Sequence, residues 1–414
     1  MLPERYVRAH PDDVRAALRR RHASDDMLHA LDAWLRVDSQ RRETASHFDR
    51  LSRTAHARAG NTGKARTARK NQEQAAATLN ALETEARHVL LRLPNLPDER
   101  VPDGDGPRHN VELRRWGEPP PISFPARQHD EIGKALGILD LARATRLSGP
   151  RFPLLVGAGA RLARALACFM LDQHARAGYT EIAPPHLLRR ESMEGSAHLP
   201  HFEGEMYAVE GRELFLSPTA EAQLVALHAG ETLVSADLPL AYTACTPAFR
   251  REAGSANASS RGLIRQHQFD KVELVRITQP EMADVAFDAI LTEAEAVLQA
   301  LALPYRVVAL CAGDLPFSAR RTYDIEVWMA GQQRWLEISS VSDCGTFQAR
   351  RLRLRYQEGS RGRAQFVATL NGSALPIGRT LAALLENGQQ SDGSVTLPGA
   401  LRPYFAAERL TPTE

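Results

Sequence analysis

FVATLNGSALPIGRTLAALLEN, residues 366–387, reads as a strand that turns through Asn371-Gly372-Ser373 and enters a helix behind Arg379. Upstream, TACTPAFRREAGSANASSRGLIRQHQFDKVELVRI, residues 243–277, reads as two strand-like runs joined by a loop of small residues. Each stretch sets an arginine, Arg250 or Arg379, beside extended backbone. Working outward, the spacing predicts strands over 205–210, 213–217, 239–250, 263–277, 305–310, 323–329, 335–342 and 366–371. Hairpin-like intervals and few helical crossovers favour an antiparallel sheet. Helices expected near 129–145, 158–177, 219–229, 280–302 and 376–388 would cover it. The expected fold class is α+β.

Nearer the N-terminus the periodicity changes. Residues 26–93 read as a helical hairpin. Ala68, Ala75, Leu79, Leu82, Ala86, Val89 and Leu93 recur in steps of seven and then of four and three, the 3.5-residue period of a coiled-coil seam. Leu28, Leu31, Leu35, Ala45, Phe48, Leu51 and Ala55 form a second apolar stripe, broken around 38–42. Between the two, AGNTG (59–63) supplies the residues of a tight reversal. Helices of about thirty residues would run about 45 Å. The tip is basic: Arg50, Arg53, Arg58, Lys64, Arg66, Arg69 and Lys70 fall in a stretch without an acidic residue. Charge runs are usually solvated; the alternative is a stripe for a polyanion, favoured by counterion release. Eight of the 25 prolines follow within 94–125, which removes backbone donors and bars a continuous helix. The predicted organisation is therefore a helical domain over 1–97, a linker over 98–125 and a sheet domain over 126–414.

Composition excludes several classes. Hydrophobic residues at 43% and charged residues at 25% are ordinary for a globular protein, and a net charge of +2 announces no polyanion partner on its own. Cys168, Cys245, Cys311 and Cys344 form no Cys-x-x-Cys pair, which disfavours a zinc site and fits a reducing compartment. The opening residues lack the apolar core of a secretory signal, and no run is long and apolar enough to span a membrane.

Certain side chains suit nucleotide chemistry. Arg250, at a strand end, offers a planar fork to a phosphate oxygen and a carboxylate. Glu337 and Ser340, in LEISS, are hard oxygen ligands of the kind Mg²⁺ prefers. Arg379 opens a helix where it could neutralise distal phosphates, and Phe269 offers an aromatic face to a purine. Each has a plainer reading. Glu221 could merely oppose a helix dipole, and Glu273 could pair with Lys271 or Arg276. VGAGARL (156–162) lacks the third glycine of a dinucleotide fingerprint. Cys245 with His267, and His129 with Glu131, read as structural.

Taken in order, residues 243–277 and 366–387 resemble motifs 2 and 3 of class II aminoacyl-tRNA synthetases, and their wording is similar to seryl-tRNA synthetases. GAGARLARALACFMLDQH (157–174) resembles the motif 1 helix of that family, and FQARR (347–351) also matches, so the likeness covers essentially the whole chain. The resemblance implies that Thr219, Ala220, Glu221, Glu273, Asn371 and Ser373 hold L-serine. It implies that Arg250, Arg251, Glu252, Phe269, Glu337, Ile338, Ser339, Ser340 and Arg379 bind ATP, with Mg²⁺ on Glu337 and Ser340. Arg250, Glu337 and Arg379 would carry the chemistry. A cytoplasmic homodimer is implied, whose basic arm grips the long variable arm of tRNA(Ser), with tRNA(Sec) as a further acceptor.

The chain departs from the family pattern at Ala368, Ala374 and Pro376, at Thr346, and at Asn257, Ala258 and Ser259. A methyl at Ala374 is expected to narrow the space beside Ser373. The departures leave open a specialised or inhibitor-resistant copy serving a metabolite pathway, and a non-catalytic RNA-binding paralogue.

Overall fold

The computed structural model describes residues 1–57, 62–252, 261–359 and 362–412, the side chains at 54–57 and 62–65 excepted. The chain divides into two units, Met1–Leu96 and Pro97–Glu414.

The first unit is helical: α1 (Glu4–Ala9), α2 (Pro11–Arg20), α3 (Asp25–Ala57) and α4 (Thr62–Leu91). α3 and α4 lie antiparallel, and near their far ends Gln72 Nε2 donates to Ser52 Oγ at 3.1 Å. The seam follows the 3.5-residue period: Ala75, Ala86 and Leu93 are buried, and Ala68, Leu79, Leu82 and Val89 are half-buried. The break in the α3 stripe has a cause that periodicity could not show. Asp38 is only 2% exposed and accepts from Arg8 Nε at 2.6 Å, Arg8 Nη2 at 2.9 Å and Arg41 Nη2 at 2.6 Å. Burial would raise its carboxyl, but the hydrogen bonds from Arg8 and Arg41 outweigh it and hold the group below the usual range. The polar residue is thus an anchor for α1. Arg50, Arg53, Arg66, Arg69 and Lys70 are exposed, and Arg69 pairs with Glu73 at 3.1 Å. Arg58 and the Lys64 side chain lie outside the described residues.

The second unit is built on an eight-stranded sheet. Its strands are β1 (Val111–Trp116), β2 (Thr180–Glu181), β3 (Leu240–Phe249), β4 (Gln268–Thr278), β5 (Tyr305–Ala309), β6 (Arg321–Met329), β7 (Arg334–Asp343) and β8 (Ala368–Pro376). They lie in the order β1-β5-β6-β7-β8-β4-β3-β2, antiparallel except for the edge pair β2–β3. Helices α5 (His129–Ala135), α6 (Leu141–Ser148), α7 (Ala158–Arg176), α8 (Arg190–Gly195), α9 (Ala220–Ala226), α10 (Ala283–Ala300), α11 (Phe347–Leu352) and α12 (Ile377–Gly388) complete the unit. The two-residue period of β4 feeds two cores. Val272 and Leu274 pack with α7, α10 and α12, whereas Val275 and Ile277 pack with α9 and α11. Among the described residues no helix is long and apolar enough to cross a membrane.

Four expectations need correction. The proline-rich segment 98–125 is not simply a linker: it belongs to the second unit and supplies β1, whose Trp116 pairs with Tyr305. Residues 205–210 are not a strand; a 3₁₀ turn over Glu203–Glu205 leads to a single bridge at Ala208. The helix expected over 129–145 is two helices, because Gly137 takes φ +68° and Asp140 caps α6 through the Arg143 N–H at 2.8 Å. Asn371-Gly372-Ser373 is not a turn. Gly372 sits mid-strand, opposite Val341 on one side and Leu274 on the other. Its lack of a side chain serves packing: a Cβ there would lie 2.5 Å from Ile290 Cγ2 of α10.

Candidate active site

Strand alternation aims one set of side chains at one place. On β4, Phe269, Lys271 and Glu273 share a face; on β8, Asn371 and Ser373 do. On β7 a register shift between Glu337 and Ser339 lets Glu337, Ser340 and Ser342 reach the same side. These residues line a cavity of about 440 Å³ together with Thr219, Glu221, Arg250, Glu252, Ile338 and Arg379.

At one end sits a carboxylate pair. Thr219 caps α9 through the Glu221 N–H at 3.3 Å, setting Glu221 in the first helical turn. Asn371 Nδ2 donates to Glu221 Oε2 and to Glu273 Oε1, both at 3.2 Å. Gln348 Nε2, from α11, donates to Glu221 Oε1 at 2.7 Å. Lys271 pairs with Glu273, and the Ser373 hydroxyl lies 3.5 Å from Glu273 Oε2. Burial first, and then the Glu273 charge, push the Glu221 carboxyl up to about 7, against opposing contributions from Gln348, Lys271 and Arg250. Two carboxylates beside a hydroxyl suit an ammonium carrying a neighbouring hydroxyl group.

The other end is cationic and then acidic. Arg250 Nε donates to the Pro218 carbonyl at 3.2 Å, and its guanidinium lies 5.3 Å from the centre of the Phe269 ring. Arg379 Nε donates to Ile264 O at 3.1 Å and its Nη1 to Glu337 O at 2.6 Å, with Glu337 Oε2 3.5 Å away. Across the ladder from Ser340 stands Asp324, whose buried Oδ1 has no hydrogen-bond partner among the described residues. Burial, followed by the Glu337 charge, holds the Asp324 carboxyl well above the usual range. Among the described residues no group of three or more His, Cys, Asp or Glu side chains forms a metal cage. The orphaned Asp324 oxygen beside Glu337 and Ser340 fits Mg²⁺, which commonly shares a few hard protein oxygens with substrate phosphates.

The structure therefore brings together most of the predicted residues, though not Ala220, Arg251 or Ser339. Ala220 is buried in the α9 core, and exposed Arg251 donates its N–H to the Glu205 carbonyl at 3.0 Å. Ser339 turns away from the cavity and donates to Ser373 O at 2.6 Å, because the strand alternates. The expected narrowing by Ala374 does not occur: the residue is fully buried in the core beneath α10 and α12. Next to it Leu375 takes φ +84°, within a register shift between Ser373 and Pro376. Pro376 lines the cavity, Ala368 is buried in the core, and Thr346 Oγ1 accepts from Arg350 Nε at 3.0 Å. Residues 257–259 lie outside the described residues. Sequence reading missed His198 and Asp324 as part of this constellation and Gln348 as the brace of Glu221, and it named Lys271 only as a plain partner of Glu273, a pairing that the fold forms inside the cavity. The same-face spacing of Lys271 with Phe269 and Glu273 was a signal for its place there.

Residues 205–388 match the model of the tRNA synthetase class II core domain (G, H, P, S and T). The serine–tRNA ligase of Acidithiobacillus ferrooxidans is 48% identical over 98% of both chains. That of Thermotoga neapolitana is 45% identical over 99% of both. Among solved structures, seryl-tRNA synthetase from Pyrococcus horikoshii complexed with ATP superposes with a TM-score of 0.95 at 33% identity, over 100% of both chains. The cytoplasmic serine–tRNA ligase of Naegleria fowleri in complex with AMP gives 0.86 at 28% identity, over 98% of this chain and 96% of that one. With this agreement in sequence and fold, the chain belongs to the serine–tRNA ligases of the class II aminoacyl-tRNA synthetases.

Proposed function

We propose that this chain activates L-serine with ATP and transfers it to the 3′ end of tRNA(Ser). One observation carries the reading: Arg250 and Arg379, far apart in sequence, share a cavity with the Glu221–Asn371–Glu273–Ser373 cluster. On this reading the cluster holds the serine ammonium and hydroxyl. The serine carboxylate then lies beside Arg250 and attacks the α-phosphate in line, and pyrophosphate leaves toward Arg379. Positioning and electrostatics dominate such phosphoryl chemistry, so no protein nucleophile is required. Mg²⁺, for which Glu337 and Ser340 with Asp324 are the fitting ligands, would offset charge on the distal phosphates. A site that hydrogen-bonds the serine hydroxyl leaves buried partners unsatisfied when alanine enters, which can discriminate by roughly 10⁴-fold or more.

The exposed arginines of the hairpin are the grip for the long variable arm of tRNA(Ser), and of tRNA(Sec). Helix α7 is the element that pairs two copies into a homodimer, and the four free thiols suit the cytoplasm. Pyrophosphate exchange with each of the twenty amino acids, followed by charging of tRNA(Ser), tests the proposal. Serine alone should support exchange, and charging should follow. Exchange without charging would favour a specialised or carrier-loading paralogue, and no exchange would favour a non-catalytic one.

A further inference from the structure

The cavity holds a histidine that the activation step does not use. His198 lines it, half-buried, in the loop after α8. Its Nδ1 lies 2.9 Å from Ser196 Oγ. Ser196 gives its own hydroxyl proton to the Met193 carbonyl at 3.1 Å, so its oxygen accepts from the ring. Nδ1 therefore carries the proton and Nε2 presents a lone pair. Among the described residues no partner meets Nε2.

The loop is held firmly against α11. Arg351 Nη1 donates to Glu194 O at 2.9 Å and to Leu199 O at 3.1 Å. Gln348 Nε2 donates both to Ser196 O at 3.1 Å and to Glu221 Oε1 at 2.7 Å. A single amide thus ties the His198 loop to the carboxylate at the amino-acid end. Burial first, then the charges of Arg250, Lys271 and Arg351, lower the His198 pKa to about 3, so the ring is neutral at physiological pH. An adenylate phosphate on Arg250 would offset part of that positive field and make the ring more basic once the intermediate is in place. Of the other carboxylates lining the cavity, Glu221 is engaged by Gln348 and Asn371, Glu273 by Lys271, Asn371 and Ser373, and Glu252 by Arg265 at 3.1 Å.

We infer that His198 is a catalytic residue of the transfer step, its Nε2 accepting the proton of the attacking tRNA ribose hydroxyl. The inference rests on the ligase reading above. The ribose oxygen bonds to the acyl carbon, and the bond from that carbon to the phosphate oxygen breaks, its electron pair leaving on AMP. The hydroxyl proton passes to Nε2, and the imidazolium then gives it to solvent.

The test compares pyrophosphate exchange with single-turnover transfer from preformed seryl-adenylate to tRNA(Ser), in the wild type, His198→Ala and His198→Gln. In both variants transfer should fall by roughly 10²-fold more than exchange, the scale of a lost general base. Glutamine is close in size and keeps an acceptor oxygen, but it cannot carry the proton; it also decides the matter should the alanine variant not fold. Equal losses in the two steps, or transfer retained in either variant, would overturn the role. Absence of serine-dependent exchange in the wild type would instead overturn the ligase reading itself.

Discussion

Glu221 and Glu273 meet across one asparagine, and that arrangement gives the site a definite pH response. The folded protein holds a proton on Glu221 up to about 7, which the unfolded chain releases at an ordinary carboxylate pKa. This group's contribution to the stability of the ligand-free protein is full below the unfolded value and is lost as pH rises through about 7. Glu221→Gln should therefore show a smaller fall in Tm between pH 5 and pH 8. An ammonium needs the ionised carboxylate, so the KM for serine should fall as pH rises from 6 to 8. In the glutamine variant it should be roughly 10- to 100-fold higher and nearly flat with pH. A serine KM in the wild type that is independent of pH would refute the assignment. Arg250 offers a second test: Arg250→Ala should lower serine-dependent exchange by about 10²- to 10³-fold, the scale of one lost charge-stabilising donor. Near-normal exchange would remove it from the site. Arg250 and Arg379 were legible in sequence because each follows or precedes a recognisable strand. Gln348 was not, since its role depends on Glu221, distant in the chain and adjacent only after folding.

Among the elements, β8 shows how local propensity yields to context. Asn-Gly is a turn signal in isolation, but two flanking ladders keep Asn371 and Gly372 extended, and α10 crosses against the glycine. Gly372→Ala should cost about 1–3 kcal/mol through overpacking against Ile290, read by urea unfolding, with exchange reduced as Asn371 and Ser373 shift. Unchanged stability would show that α10 yields more easily than its packing indicates. The seam of α4 was readable because a coiled coil writes its period in the chain. β1 was not readable amid prolines, since what makes it a strand is its pairing with β5. The break at Asp38 likewise hid its partner Arg8, which belongs to a helix that the reading passed over.

At the scale of the molecule, a net charge of +2 conceals a segregation, with exposed arginines gathered near the end of the helical hairpin. Deleting residues 26–93 should leave serine-dependent exchange in place while abolishing charging of tRNA(Ser). Replacing Arg50, Arg53, Arg66, Arg69 and Lys70 by glutamine should weaken tRNA binding and flatten its salt dependence, as fewer counterions are released. Charging that survives the deletion would show that another surface holds the tRNA. β8 runs into α12 without an intervening loop, so Ser373 and Arg379 stand on one unbroken piece of chain. The cavity thus carries a gauge of fixed length between its two ends. A bisubstrate mimic must match that gauge, whereas variation in the loop around His198 leaves the measure intact.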